Sequence, residues 1–201
     1  VHPLLPELLE DFSFSGNLPQ DAYNFLIHHN CPNTAAHSHS VAETAVQLAD
    51  RFDIDRQKAE TAGWLHDISA VYPNLQRVRV SEQLGLEILP EEREVPLLLH
   101  QKISAVIAAE LFGIRDKGVL QAIRCHTTLK AKPRQLDLVL FVADKLAWDQ
   151  RGEPPFKSAM ESALEASLEA AAWAYLDFLM NSGKIQIAHP WMLEACQELK
   201  P

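Results

Sequence analysis

The sequence predicts an all-α protein, and three observations point there. Apolar residues recur at helical spacing: Val41, Ala45, Leu48, Ala49 and Phe52 form an i, i+4, i+7, i+8 face. Strand-like alternation is scarce. Residues that start and stop helices flank the periodic stretches, with Asp55 and Asp116 as N-caps, Pro96 in a first turn, and Gly113 and Gly183 just past C-termini.

Taken in order, the elements are expected at about 19–29, then at about 37–52, which carries the face just described. A helix at about 55–66 runs from Asp55 into AGWLHDI, and a short one follows at about 79–85. The next two, at about 96–112 and 116–127, bury PLLL with Ile103 and Ile107, and Val119 with Leu120 and Ile123. The segment at about 134–149 contains LDLVLFVADKLAW, apolar nearly all round, as a central helix would be. RGEPPFKS, at 151–158, breaks the pattern before a helix expected at about 157–181, where Leu164, Leu168, Ala171, Ala172, Tyr175 and Leu179 form a core stripe. A last helix is expected at about 190–199. The expected organisation is one domain over 1–201, with a core at about 20–150 and helices 157–199 packed back on it.

A chain of 201 residues, 47% hydrophobic and 22% charged, can bury one substantial core. Its net charge of −9, with no Lys/Arg block, argues against nucleic acid or an anionic membrane as partner and suits a bound cation. Cys31, Cys125 and Cys196 are odd in number and lack CxxC spacing, so neither a disulfide framework nor a thiolate zinc site is expected, and a reducing cytoplasm fits. No run approaches the ~20 apolar residues of a membrane span. The start VHPLLPELLEDF has no basic n-region, and its first residue is Val rather than Met.

The chemistry begins in AGWLHDI, where His66 and Asp67 end an apolar run. Burying either without partners costs several kcal/mol, so partners must come from elsewhere in the chain. His37, His100 and His126 stand on expected helices beside apolar faces; any one alone reads as an ordinary core or surface histidine, but all four can point to one interior. Asp144 lies in the apolar stretch LDLVLFVADKL, where a salt bridge to Lys145 is the plain alternative to metal binding. With Asp67 it supplies the oxygen ligands of an imidazole-rich site for Fe, Mn or another transition metal. No GxSxG, P-loop or glycine-rich dinucleotide fingerprint is present.

The order His37, His66-Asp67, Asp144 resembles the H…HD…D pattern of the HD-domain metal-dependent phosphohydrolases, an all-helical superfamily, and His100 and His126 match its six-ligand, two-metal variant. HSHSVAETAVQLAD, AGWLHDI, LLLHQKISAVIAAELFGI, AIRCHTT and LDLVLFVADKL are similar to the YqeK-type symmetrical bis(5′-nucleosyl)-tetraphosphatases, with weaker support in HPW at 189–191. Departures fall at Thr34, where that family commonly has Arg, at Ala70, where it has Lys, and after His100 and His126, where it favours glycine and this chain has Gln101-Lys102 and Thr127-Thr128-Leu129.

The resemblance implies an HD-domain helical bundle with additional C-terminal helices. It implies one metal held by His37, His66, Asp67 and Asp144 and a second by His100, His126 and the bridging Asp67. Two divalent or mixed-valence ions, iron first and manganese next, are the expected cofactors, and they activate water without a protein nucleophile. Asp67, His100 and Lys102 are the expected catalytic residues; Lys102, Thr127 and Lys145 are expected on the substrate side. Lys130 and Arg151 are weaker phosphate candidates, and Trp148, His189 and Trp191 could stack on a base. The implied reaction splits diadenosine tetraphosphate into two ADP. The alternatives are a phosphatase for nucleoside monophosphates or other small phosphoesters, and a non-catalytic nucleotide- or metal-binding regulator. The expected partner is a small nucleotide, with neither nucleic acid nor membrane, and a homodimer is compatible.

Overall fold

A computed structural model describes residues 2–148, 151–183 and 185–201, and among them there are helices and turns but no strand. The chain runs through α1 (Leu18–His28), α2 (Pro32–Arg51), α3 (Arg56–Leu65), α4 (Arg77–Gln83), α5 (Pro90–Glu94), α6 (His100–Glu110), α7 (Lys117–Cys125), α8 (Gln135–Leu146), α9 (Lys157–Ala163), α10 (Leu168–Asn181) and α11 (Pro190–Leu199). Single 3₁₀ turns lie at Pro6–Leu9, Ile68–Val71, Asn74–Gln76 and Pro96–Leu99.

The expected caps are in place. Asp55 Oδ1 accepts the Lys58 N–H at 3.0 Å, and Asp116 Oδ1 accepts those of Gly118 and Val119 at 2.8 and 3.0 Å. Five segments differ from the sequence-based expectation. α2 starts five residues earlier than 37, because Pro32 presets a first-turn φ. The segment expected at 96–112 opens with a 3₁₀ turn before α6. The single helix expected at 157–181 is two: Ser167 adopts extended backbone and its hydroxyl accepts the Ala170 N–H at 3.1 Å, capping α10 anew. Pro6–Leu9 and α5 were not anticipated. The far end of the segment expected to reach 149 lies outside the described residues.

Leu138 to Ala143 of α8 are all fully buried, as the unbroken apolar run requires. α2 and α3 touch at backbone distance, since a Cβ on Gly63 of α3 would stand 2.5 Å from Ala42 Cα. Leu164, Leu168, Ala171 and Ala172 are buried in the same cluster as α8, while Tyr175 and Leu179 are half-buried at its edge. The Tyr175 ring lies 5.6 Å from that of Phe141 on α8. No helix among the described residues is long and apolar enough to cross a membrane.

Candidate metal centre

Helix ends bring the ligand-type side chains together. His66 is the C-cap residue of α3 and Asp67 follows it, leaving the helix at φ −110°. His126 likewise caps α7, His100 opens α6, His37 lies in the second turn of α2, and Asp144 in the last turn of α8. Two groups of potential ligands result, His37–His66–Asp67 and Asp67–His100–His126, each with its donor atoms within 4.8 Å of one another. Asp67 belongs to both and turns a different oxygen to each. Its Oδ1 stands 3.3 Å from His100 Nε2 and 3.5 Å from His126 Nε2, and its Oδ2 3.6 Å from His66 Nε2. Asp144 Oδ1 adds contacts of 3.0 Å to His37 Nε2 and 3.6 Å to His66 Nε2.

The tautomers test whether a cation fits. The Nδ1–H groups of His66, His100 and His126 donate to the carbonyls of Gly63, Leu97 and Ile123, three residues back, at 2.7, 2.5 and 2.8 Å. A carbonyl only accepts, so each Nδ1 carries a proton and each Nε2 is turned to the centre, as a lone pair whenever the ring is neutral or a cation has replaced its second proton. His100 Nε2 and His126 Nε2 consequently face each other at 2.9 Å, and fully buried His66 Nε2 has no hydrogen-bond partner. Lone pairs packed nose to nose beside two carboxylates form a donor set that a divalent ion satisfies. The residues fit the group that the sequence implied.

Burial opposes ionisation of Asp67, yet His66, His100 and His126 hold its carboxyl far below the usual range. Asp144 is held well below it too, against burial, chiefly by the Lys145 ammonium and then by His37 and His66. Burial drives His100 down to about 4, with His126 and Arg77 adding to the effect against Asp67, and burial also lowers His126. His66 goes the other way: Asp67 and Asp144 outweigh its burial and raise it to about 9. The centre is therefore acidic in character, and Asp67, with 28% of its side chain exposed, keeps it open to an incoming molecule.

Of the substrate-side candidates, two border the centre. The Thr127 hydroxyl lies 2.9 Å from His100 Nε2, and Lys145 Nζ donates to Asp144 Oδ2 and, at 3.1 Å, to the His126 carbonyl. Both also line a cleft of about 350 Å³ whose other walls include Tyr175, Ile185, Ile187 and Met192.

Lys102 requires a correction. It is fully buried, and its ammonium is committed to Glu92 Oε2 at 2.7 Å and the Glu87 carbonyl at 3.0 Å, so it offers no free charge to a phosphate. His189 Nε2–H donates to the other Glu92 oxygen at 3.3 Å, and Trp191 lies 4.9 Å beneath Lys102 Nζ; these two serve packing instead of base stacking. Trp148 packs its ring on Phe156 at 5.6 Å. Nothing in the structure assigns Lys130 or Arg151 to the centre.

Sequence reasoning gave no supporting role to Arg77, Ser69, Ser104 or Gln101. Buried Arg77 donates from Nη1 to the Leu97 carbonyl at 3.2 Å, the same oxygen that orients His100. Ser69 Oγ donates to the His100 carbonyl at 2.9 Å and receives Ser104 Oγ–H at 2.9 Å, bracing the turn after Asp67 against α6. Gln101 Oε1 accepts the Thr127 N–H at 3.1 Å while its Nε2–H donates to Thr128 Oγ1 at 3.1 Å. Two departures from the family pattern thus bond to each other. Leu129, three residues after His126, has φ 57°, the left-handed region that glycine occupies without strain. Of these, only the run of polar residues at Gln101 and Thr127-Thr128 beside histidines was visible in the sequence.

Comparison with known proteins agrees with this geometry. A family model described as HD domain matches residues 34–149, from the first turn of α2 past the end of α8. The chain belongs to the HD-domain hydrolase family. A Lactococcus lactis subsp. cremoris protein, known as an uncharacterized protein in the pepC 5′ region, is 49% identical over 147 residues, 73% of this chain and 75% of its own length. The symmetrical bis(5′-nucleosyl)-tetraphosphatases of Staphylococcus aureus and Bacillus subtilis are 37% and 32% identical over 63% and 54% of this chain. The matches span 59% and 58% of those enzymes' own lengths. A crystal structure from Clostridium acetobutylicum, described as a predicted HD superfamily hydrolase involved in NAD metabolism, superposes with a TM-score of 0.79 at 26% identity, covering 90% of this chain and 95% of that one. At this level the chain is an HD-type phosphohydrolase whose His/Asp cluster can hold a divalent metal.

Proposed function

We propose that this HD-type enzyme hydrolyses dinucleoside tetraphosphates symmetrically, with diadenosine tetraphosphate yielding two ADP. The observation that carries the reading is the double engagement of Asp67, with Oδ1 toward His100 and His126 and Oδ2 toward His66. The names of the S. aureus and B. subtilis relatives support the substrate. In this reading His37, His66, Asp67 and Asp144 take one ion and Asp67, His100 and His126 a second, with iron or manganese suited to the nitrogen and carboxylate donors. Divalent ions there supply Lewis acidity, which activates water near neutral pH and neutralises charge building on a phosphoryl group.

The protein's own residues do the remaining work. The carbonyls of Gly63, Leu97 and Ile123 hold three imidazole rings with Nε2 inward, so no reorganisation is needed as charge develops. Lys145, anchored on Asp144 and the His126 carbonyl, sets a cation at the cleft end of the centre, and the Thr127 hydroxyl, which donates to His100 Nε2 here, would turn to a phosphate oxygen once that nitrogen holds an ion. The free thiols of Cys31, Cys125 and Cys196 support a reducing, cytoplasmic setting.

The test is product analysis with manganese- or iron-loaded protein, together with metal quantification of protein purified without chelator. The expected result is ADP as sole nucleotide product and about two ions per chain. Paired AMP and ATP would reject symmetrical cleavage. Release of phosphate from monophosphates in preference would favour a small-phosphoester phosphatase, and no turnover of any nucleotide would favour a binding protein.

A further inference from the structure

We infer that the cleft walled by Tyr175, Leu179, Ile185, Ile187 and Met192 is a nucleoside subsite, which holds one half of the substrate and leaves the distal half in solvent; this rests on the cluster being the phosphohydrolase centre. Cleft and cluster share residues. Thr127 is hydrogen-bond distance from His100, at 2.9 Å, and Lys145 is bonded to Asp144, and both side chains also line the cleft. A molecule seated there has its polar end at the ions and its body against the far walls.

Those walls have the chemistry of a nucleoside site. Leu179, Ile185, Ile187 and Met192 with the Tyr175 ring offer faces on which a base can bury its π surfaces, while exposed Gln186 supplies a polar group for its edges. Among the described residues, the one ammonium in the lining, that of Lys145, sits at the cluster end, where phosphates arrive. At about 350 Å³ the volume is near the lower bound of small-molecule sites, ~300–1,000 Å³. It accommodates one nucleoside, not two joined through four phosphates.

The wall is built and braced without a ligand. His189, which lines the cleft, is tied to Glu92 at 3.3 Å, and that carboxylate is held in turn by buried Lys102 at 2.7 Å. Lys102, two positions after His100, thereby ties the C-terminal segment to α6 through Glu92. Tyr175, Leu179, Ile185, Ile187 and Met192 all lie beyond residues 34–149, which the HD-domain model matches. The cleft thus joins Val95, Leu97 and Leu98 of the matched region to a wall that lies beyond it, and substrates that differ only in the distal nucleoside should bind alike.

The experiment places bulk in the cleft of the full chain loaded with manganese. Ile185→Trp and Ile187→Trp fill it from half-buried positions, and Leu193→Trp, on α11 and 37% exposed, serves as the control. ADP affinity is read by calorimetry, diadenosine tetraphosphate hydrolysis by KM and kcat, and folding by melting temperature. The expected result is a rise of about tenfold or more in the ADP Kd and in KM for both cleft variants, the loss of roughly a methylene's worth or more of pocket fit, with kcat changed much less and Leu193→Trp like wild type. If both folded cleft variants bind ADP as wild type does, the subsite is wrong, even where hydrolysis stands. If wild type binds ADP and the variants lose it but no dinucleotide is hydrolysed, the subsite stands and the proposed reaction falls. Wild-type protein that neither binds ADP nor turns over would overturn both.

Discussion

Gly63→Ala tests the link between helix packing and the metal centre. The added methyl would lie 2.5 Å from Ala42 Cα, 2.8 Å from Ala42 N and 3.1 Å from Ala42 Cβ, where ordinary contact begins at 3.4 Å. The first two atoms are backbone and cannot rotate aside, so α2 and α3 must separate by about 0.9 Å (3.4 − 2.5) at this crossing. α2 carries His37, α3 ends in His66 and Asp67, and the Gly63 carbonyl itself accepts the His66 Nδ1–H at 2.7 Å. Overpacking costs about 1–3 kcal/mol, and the helix propensity of Ala over Gly returns up to about 1 kcal/mol. The net, up to about 2 kcal/mol, lowers Tm by no more than ~8 °C in a chain of this size. Activity should fall much further, since a ~1 Å misplacement of reacting groups can cost ~100-fold in rate. The assay pairs calorimetric Tm with kcat and metal content, and adds Ala42→Gly in the same chain. That second change should not rescue, because the atoms struck are Ala42 Cα and N rather than its methyl. Wild-type Tm and wild-type kcat in Gly63→Ala would refute the packing argument.

Four further outcomes are expected. Asp67→Ala, which removes the carboxylate shared by both ligand groups, should lower kcat by ~10³-fold or more, whereas Lys102→Met should lose ~3–5 kcal/mol of stability by stranding buried Glu92 while kcat below its Tm stays within ~10-fold; the reverse ranking in steady-state kinetics would undo both assignments. Burial favours protonated Glu92, but His189, Lys102 and the Leu89 N–H outweigh it and hold the carboxyl below its usual range. Its contribution is therefore present above the unfolded pKa of ~4.3 and lost as pH falls through the lower folded value; urea melts of wild type and Glu92→Gln should differ most at neutral pH and converge in acid, and a pH-independent gap would contradict this. Gln101→Ala leaves the Thr127 N–H without its acceptor, a loss of about 1–3 kcal/mol, and should raise KM more than it lowers kcat, to be read from steady-state kinetics beside a thermal melt. Chelation should lower Tm and metal restore it, by about 2.7 kcal/mol at a hundredfold excess over Kd; a Tm indifferent to chelator would speak against a resident ion.

Some of this was legible because it is local. AGWLHDI could be read as a helix ending in a buried imidazole and carboxylate, since burial follows the 3.6-residue period and unpaired polar groups in an apolar run demand partners. The spacing of His66, His100 and His126 to Gly63, Leu97 and Ile123 is equally local, three residues in each case, although only the structure shows that every ring uses it. The break between α9 and α10 was missed because the Ser167 hydroxyl competes for a backbone N–H that helical periodicity assigns elsewhere. The error at Lys102 was of another kind. Its neighbour in sequence, two residues away, is His100, but its partner in space is Glu92, ten residues back, and His189 joins that carboxylate from 97 residues away.

By itself the sequence determined the helical class, the central position of α8 and the six side chains able to meet at one centre, because helix periodicity and the intolerance of buried unpaired charge act residue by residue. Tertiary structure alone decided which oxygen of Asp67 faces which histidines, that Arg77 and Leu97 orient His100, and that Lys102 braces a cleft wall instead of meeting phosphate. Those outcomes are fixed by which groups from distant segments satisfy each other when helices pack, and pairing energies between segments leave no periodic trace in the chain.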